Sequence, residues 1–272
     1  MLSSYDGGED LWYGFFTTLL AEWPTFDLPI VLNTETKSYY YPGLSIKTYS
    51  PCADKKMYWS QRLKYVLNRI NSEYILLFLE DYWLDSKVNV DKFLEVLRWM
   101  EKHEDVASVC FYPLPGKNVD DKKLEGFELR PKIADYKISC QVSIWRREKL
   151  IKLLKDKESP WEFEKIGSLR AERCRDKFYS IKKGYPAVFS YGDPQIGCLI
   201  HRGKWNRDEV EKYKLKYGIE IDTSVRGCED WNNIYEHRKK RDDSLVSKLK
   251  RPHRFARLFL KIRHMFRNRG KN

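Results

Sequence analysis

Tyr74-Ile75-Leu76-Leu77-Phe78-Leu79-Glu80-Asp81-Tyr82-Trp83 is the stretch on which the reading of this 272-residue chain turns. Six residues, Tyr74 to Leu79, are apolar or aromatic without interruption. A short run of this kind fits a strand buried on both faces of a helix-covered sheet. It ends abruptly in two carboxylates, Glu80 and Asp81. Ligands of open α/β sheets bind just beyond the carboxyl ends of the strands. The pair therefore either marks where the strand meets water or holds a metal or a phosphorylated ligand.

Working outward, Met1 to Asp6 reads as the stub of a first strand, short enough that a start further upstream is one explanation. Gly7 and Gly8 form a turn, and Asp10 to Glu22 is a helix with Leu11, Phe15, Thr18 and Leu19 at helical spacing. Pro29–Asn33 and Leu44–Thr48 read as strands, and Lys56–Ile70 as a helix. After the central strand, Val90–His103 is an amphipathic helix and Val106–Tyr112 another strand. This alternation predicts an α/β layered sheet with right-handed crossovers. Beyond Pro115 the pattern becomes irregular. Ser139–Trp145 reads as a strand and Arg147–Lys155 as a helix. Ser159-Pro160-Trp161-Glu162 opens another helix, with Ser at the cap, Pro first and Glu closing a capping box. Strands are expected near Ala187–Ser190 and Ile196–Ile200, and a helix over Arg207–Tyr217.

The charge is uneven. The chain carries a net +12. Residues 238 to 272 hold fourteen Lys/Arg against Asp242 and Asp243, which accounts for all of it, and residues 1 to 237 are neutral. Within that tail Phe255, Leu258, Phe259, Ile262 and Phe266 fall on one helical stripe flanked by arginines and lysines. This is the form of a helix lying in an anionic membrane interface, over residues 253–269. No recognised nucleic-acid-binding motif accompanies it, so nucleic acid is not expected as a partner. The six cysteines show no zinc or redox spacing and fit a reducing, cytoplasmic setting. Met1 to Glu9 lacks the basic start and apolar core of a secretory signal. No run approaches the length of a spanning helix.

Asp6 follows the first strand, and Glu80 and Asp81 follow the central one. Carboxylates at adjacent strand ends converge on one sheet edge. Oxygen ligands beside a diphosphate suit Mg²⁺ or Mn²⁺. Taken together, several stretches resemble the GT-A class of nucleotide-sugar glycosyltransferases, in particular bacterial enzymes of capsule and surface-polysaccharide synthesis. These are Ser3-Ser4-Tyr5-Asp6 at the first strand end, Trp59-Ser60-Gln61-Arg62 on the preceding helix, and Glu80-Asp81-Tyr82 in the place of a DxD motif. Ser159 to Glu164 resembles the acidic helix start that supplies a general base, and Ile200-His201-Arg202-Gly203-Lys204-Trp205 a late loop closing over the diphosphate. The resemblance covers roughly residues 1 to 210.

It implies a GT-A-like, Rossmann-like fold with a mixed, mostly parallel sheet flanked by helices, followed by the helical tail. Residues 1–237 would be the transferase domain, with a nucleotide-binding half to about 115 and an acceptor half from 116. Residues 238–272 would hold it peripherally on the inner face of the cell membrane. The implied reaction moves a sugar from a UDP-sugar to a lipid-linked glycan. Ser4, Asp6, Arg62, Glu80, Asp81, His201 and Lys204 would bind the donor, and Trp161 and Gln141 would face the acceptor. The motif departs from DxD, so the divalent metal, on Asp81 with His201, would be weak or dispensable. Arg62, His201, Arg202 and Lys204 are then the cations that replace it. An inverting transfer needs a carboxylate base. Glu162 has a capping-box duty, whereas Glu164 has none visible locally, which favours Glu164. Two alternatives stand beside this reading. One is a sugar-nucleotide nucleotidyltransferase, against which Glu9 and Asp10 beside Gly7-Gly8 would repel phosphate. The other is a non-catalytic module on the same fold.

Overall fold

The structure, a computed structural model, describes residues 1–192, 199–230 and 232–236. The chain divides into two compact units, Met1–Tyr191 and Gly192–Asn272.

The first unit runs β1 (Leu2–Ser3), α1 (Glu9–Glu22), β2 (Ile30–Asn33), β3 (Ile46–Tyr49), α2 (Trp59–Leu67), β4 (Tyr74–Leu79), α3 (Val90–Glu101), β5 (Val106–Cys110), β6 (Phe127–Leu129), β7 (Ser143–Arg146), α4 (Arg147–Leu153), α5 (Pro160–Glu162), α6 (Ser168–Ala171) and β8 (Lys177–Ile181). A π-helical turn, Phe163–Gly167, joins α5 to α6. All eight strands form one sheet in the order β3-β2-β1-β4-β7-β5-β8-β6. Four pairings are parallel: β3 with β2, β2 with β1, β1 with β4, and β5 with β8. β7 runs antiparallel between β4 and β5, and β6 antiparallel to β8. The fold is thus a mixed, mostly parallel sheet flanked by helices. Strands from before residue 115 and from residues 116–191 share this one sheet.

β4 occupies the expected residues and is packed on both faces. Ile75 and Leu77 join Trp59, Leu63 and Leu67 of α2 and Leu150 of α4 in a buried cluster. Phe78 points the other way and meets Phe15 of α1 edge-on at 5.6 Å between ring centroids. Each fully buried side chain of this size contributes about 1.5–3 kcal/mol of transfer free energy, which is what holds such a sheet between its helices. In α1 the buried stripe is Leu11, Trp12, Phe15, Phe16 and Leu19, and the helix stops at Trp23, before Pro24.

Several elements differ from expectation in their bounds or existence. The helix expected from Lys56 starts at Trp59, because the Gln61 side chain accepts the Tyr58 amide and caps it there. Residues 187–190 form no strand. Val188 and Ser190 offer their carbonyls to the amides of Asn89 and Asp85 instead of to a ladder. The strand in that region is β8, with four of five residues buried, lying in parallel beside β5.

In the second unit β9 (Ile200–His201), β10 (Lys204–Asn206) and β11 (Cys228–Glu229) form a small sheet in the order β11-β10-β9. α7 (Arg207–Tyr217) spans the expected residues. It is capped by Asn206, whose side chain accepts the Asp208 amide, and ended by Gly218 at φ 66°. The strand expected at 196–200 overlaps residues 193–198, which lie outside the described residues. The basic stripe at 253–269 also lies outside them. Among the described residues no helix is long and apolar enough to cross a membrane.

Candidate active site

Strands β1, β2 and β4 end at a common edge of the sheet. The chain builds β2 and β3 to one side of β1 and then crosses to place β4 on the other. A crevice outside such a switch point is where open α/β sheets bind ligands. Because β7 is antiparallel to β4, its entry residues Gln141 and Val142 come to the same edge as Glu80 and Asp81.

The end of β1 is held from several sides. Trp59 Nε1 donates to Ser3 Oγ at 3.0 Å, and Trp12 Nε1 donates to Ser4 Oγ at 2.8 Å. Arg62 is buried, at 4% exposure. It donates to the Ser4 carbonyl at 3.0 Å and forms an ion pair with Glu35 at 3.2 Å. Asp6 and Glu35 clasp each other. The Asp6 amide donates to Glu35 Oε2 at 3.2 Å, and the Glu35 amide donates to Asp6 Oδ1 at 3.1 Å. Thr36 and Lys37 amides also donate to Asp6. Burial raises the Asp6 pKa, but the hydrogen bonds from Thr36, Lys37 and Glu35 outweigh it and hold the group below the usual carboxylate range. The structure therefore gives Ser4, Asp6 and Arg62, expected as donor contacts, duties within the fold: they brace the crevice floor.

The turn after β4 is anchored by Trp83. Its Nε1 donates to the Leu11 carbonyl at 3.0 Å, and its ring lies against Gly14 of α1. A Cβ at Gly14 would come within 2.0 Å of that ring, so α1 and the turn approach at a distance only glycine permits. Tyr82 is buried against Tyr191, with ring centroids 4.6 Å apart. Glu80 extends its carboxylate over Gly8, the N-cap of α1, where the helix dipole favours negative charge. Asp81 is half-buried. Among the described residues no three His, Cys, Asp or Glu side chains gather as a ready metal cage. The adjacent pair of hard carboxylate donors does fit Mg²⁺ or Mn²⁺, which take one or two carboxylates and complete their shell from phosphate and water.

Glu164 lies on the π turn, a helical irregularity frequent at functional sites. Its Oε1 accepts hydrogen bonds from Ser139 Oγ at 2.8 Å and from the Cys140 amide at 2.9 Å. These bonds explain why β7 starts at Ser143 and not at Ser139. Burial, set against those two bonds, pushes the Glu164 pKa above the ordinary range. Glu162 closes the expected capping box, accepting the Ser159 amide at 3.0 Å. Trp161, between Ser159 and Glu162, is 69% exposed. Gln141 Oε1 accepts a hydrogen bond from Tyr191 Oη at 2.7 Å. Burial pushes the Tyr82 phenol well above its usual pKa, and the charges of Asp81 and Glu164 add to the effect.

Sequence reasoning missed Tyr82, Ser139 and Tyr191. Tyr82 stood inside the deciding stretch, whereas Tyr191 carries no local signal. His201 and Lys204 belong to the second unit. They face each other across a tight hairpin, not an open loop, with Arg202 at φ 51° and Gly203 at φ 83° in its turn. His201 Nδ1 pairs with Glu229 Oε2 at 2.8 Å, and Lys204 is exposed.

No protein-family model and no curated protein matches the chain. Among solved structures it is similar to S. aureus TarS residues 1–349 in complex with UDP-GlcNAc, at 10% identity and TM-score 0.47, covering 80% of this chain and 67% of that one. It is similar to the same S. aureus TarS segment in a second crystal structure at 11% identity and TM-score 0.45, covering 80% and 66%. This chain thus spans about two thirds of the length of those chains. Likenesses of that size carry no conclusion about its chemistry.

Proposed function

We propose that the chain is an inverting glycosyltransferase that moves a sugar from a nucleotide-sugar donor to a glycan acceptor. The observation that supports this most is that β7, antiparallel to β4, brings Ser139 and Cys140, which hold Glu164, toward the sheet edge where Asp81 follows β4. Asp81 is a partly exposed carboxylate beside a second carboxylate. Glu164 is a carboxyl group whose pKa burial raises, the direction in which a general base is tuned.

In this reading the donor diphosphate lies over the β1 and β4 ends. A divalent cation, when bound, would be held by Asp81 with Glu80 beside it, and would offset the charge that grows on the departing nucleoside diphosphate. Glu164 takes the proton of the acceptor hydroxyl as its oxygen forms a bond to the anomeric carbon, and the bond from that carbon to the diphosphate oxygen breaks. The Ser139 and Cys140 hydrogen bonds hold Glu164 in place for that transfer. Glu162 is the weaker candidate because the capping box already occupies it. Trp161 offers an exposed ring on which an acceptor sugar stacks, and Gln141 a polar contact fixed by Tyr191. The basic stripe at 253–269 would hold the enzyme on an anionic cytoplasmic leaflet, beside a lipid-linked acceptor of surface-polysaccharide synthesis.

Incubation with a panel of nucleotide sugars and Mn²⁺, UDP-sugars first, should release nucleoside diphosphate with at least one donor. No release with any donor, with or without acceptor glycans, would remove the proposal.

A further inference from the structure

Gln141 is held at the sheet edge from three sides. Its backbone N–H donates to Ser139 Oγ at 3.2 Å, and its carbonyl accepts from Ser143 Oγ at 2.7 Å. Its side-chain Oε1 accepts from Tyr191 Oη at 2.7 Å, and Tyr191 Oη in turn accepts from the Val142 amide at 3.3 Å. Tyr191 is itself fixed. It is buried, its ring centroid lies 4.6 Å from that of Tyr82, and its backbone bridges to Leu84.

A phenol has one proton to give. The Val142 amide already donates to Tyr191 Oη, and among the described residues the one acceptor that this hydroxyl meets is Gln141 Oε1. Turning the Gln141 amide over would set Nε2 against Oη. That oxygen would then face two donors, and its own buried proton would have no acceptor, which disfavours the turned form. Burial pushes the Tyr191 phenol well above its usual pKa, so it keeps the proton that it donates. The amide therefore points Oε1 at Tyr191 and Nε2 away from it. Among the described residues Nε2 makes no hydrogen bond, and it is not buried. The same is true of Glu164 Oε2, because Ser139 and Cys140 both bond to Oε1. Ser139 Oγ links the two residues, accepting from the Gln141 N–H and donating to Glu164.

We infer that Gln141 Nε2 is a fixed donor to an oxygen of the acceptor sugar, a hydroxyl or an amide carbonyl, and that Tyr191 is the positioning residue that keeps the amide from turning. The inference rests on the proposed glycosyl transfer. An acceptor in this crevice meets a proton acceptor at Glu164 and a hydrogen-bond donor at Gln141. It must therefore offer an oxygen lone pair in addition to the attacking hydroxyl. A deoxy sugar at that place leaves Nε2 without its partner, which is how a site built to bond an oxygen rejects the analogue lacking it.

Gln141→Glu keeps the shape and still accepts from Tyr191, but it has no outward N–H. Acceptor KM should rise about tenfold or more with donor KM little changed. The parent should disfavour one mono-deoxy acceptor by about tenfold, and Gln141→Glu should not. Tyr191→Phe removes the phenol alone and should weaken the same preference with kcat little changed. A fall in Tm and kcat with the preference intact would make Tyr191 merely structural and overturn its positioning role. The amide is also read without turnover. In an isotope-labelled full chain the Gln141 side-chain protons, assigned by their loss in Gln141→Glu, should exchange with water as freely as those of an exposed glutamine. They should shift with at least one of a panel of methyl glycosides at millimolar concentration. Protected side-chain protons, or a rise in donor KM in place of acceptor KM, would overturn the inference. Failure to release nucleoside diphosphate from any donor removes the transferase reading instead, and the amide measurement still decides. Freely exchanging protons that no glycoside shifts would then overturn the sugar contact.

Discussion

Glu164 Oε1 lies 2.9 Å from the backbone nitrogen of Cys140 and accepts its hydrogen bond, while Ser139 Oγ donates to the same oxygen at 2.8 Å. Two residues at the entry to a strand thus position a carboxylate carried on a helix twenty-odd residues later. The bonds favour its ionised form, but burial favours the neutral form more, and the pKa ends above the ordinary range.

Glu164→Gln keeps both bonds to the remaining carbonyl oxygen and removes the base. Under the proposed function kcat should fall about 10²- to 10⁴-fold with donor affinity unchanged. Glu162→Gln should keep activity within a few-fold and lose at most about 1 kcal/mol of stability. In the parent protein the base must be ionised, so the acid limb of kcat/KM lies above the value of about 4.3 for a free glutamate. The stability effect has the opposite sense. With the folded pKa above the unfolded one, the stabilisation from the neutral form is complete below the unfolded pKa and is lost as pH rises through the folded pKa. Urea midpoints from pH 4 to 7 should therefore move in favour of the Gln variant. A constant difference across that range would refute the buried-carboxylate account.

Asp81→Ala should abolish donor hydrolysis and transfer while circular dichroism remains native. Near-normal release of nucleoside diphosphate would withdraw Asp81 from the site.

The clasp at the crevice floor should behave as structure. Arg62→Met leaves Glu35 without its cation and should cost about 2–4 kcal/mol, discounted from the fully buried case because the Glu35 side chain is 32% exposed. Asp6→Ala should cost about 1 kcal/mol after solvent screening. The Asp6 pKa is lowered in the fold, so its contribution is present above the unfolded value near 3.9 and is lost as pH falls through the folded one. Denaturant titrations at pH 7 and pH 3 should show the Asp6→Ala penalty shrinking in acid. A large loss of donor affinity with unchanged melting would instead return these residues to direct contact with the nucleotide.

Trp161→Ala removes a ring that is 69% exposed, so Tm should not move. If the ring stacks on the acceptor, the acceptor KM should rise about tenfold with kcat little changed. A drop in Tm with unaltered KM would make it a packing residue.

Deletion of residues 245–272 should shift the protein to the soluble fraction and leave turnover on a soluble acceptor analogue intact. Each basic residue near anionic lipid contributes about 1 kcal/mol to attachment. Retention of the truncated protein on vesicles containing anionic lipid would rule the tail out as the anchor.

Much of the architecture was legible because it rests on local pattern. β4 was recognisable as an unbroken apolar run, α1 and α3 from their buried stripes, and α7 from its polar helix between Asn206 and Gly218. The capping box at Ser159 and Glu162 was readable for the same reason: its partners lie three residues apart. β8 escaped because Lys177–Ile181 is short and follows a charged segment. Residues 187–190 misled because Val188 and Phe189 are buried without being in a ladder.

What the sequence alone determined is the layered α/β class, the central strand ending in two carboxylates, the neutral body with its basic tail, and the pairing of Glu162 with Ser159. All of these depend on residues close together in the chain. The tertiary structure decided the rest. It inserted β7 antiparallel between β4 and β5, which brings Gln141 to the edge where Asp81 ends β4 and sets Ser139 and Cys140 against Glu164. It also buried Arg62 against the Ser4 carbonyl and Glu35, and clasped Asp6 to the backbone of Glu35, Thr36 and Lys37. Hydrogen-bond partners twenty-four to fifty-eight residues apart leave no periodicity to read, because strand order and direction alone bring them together.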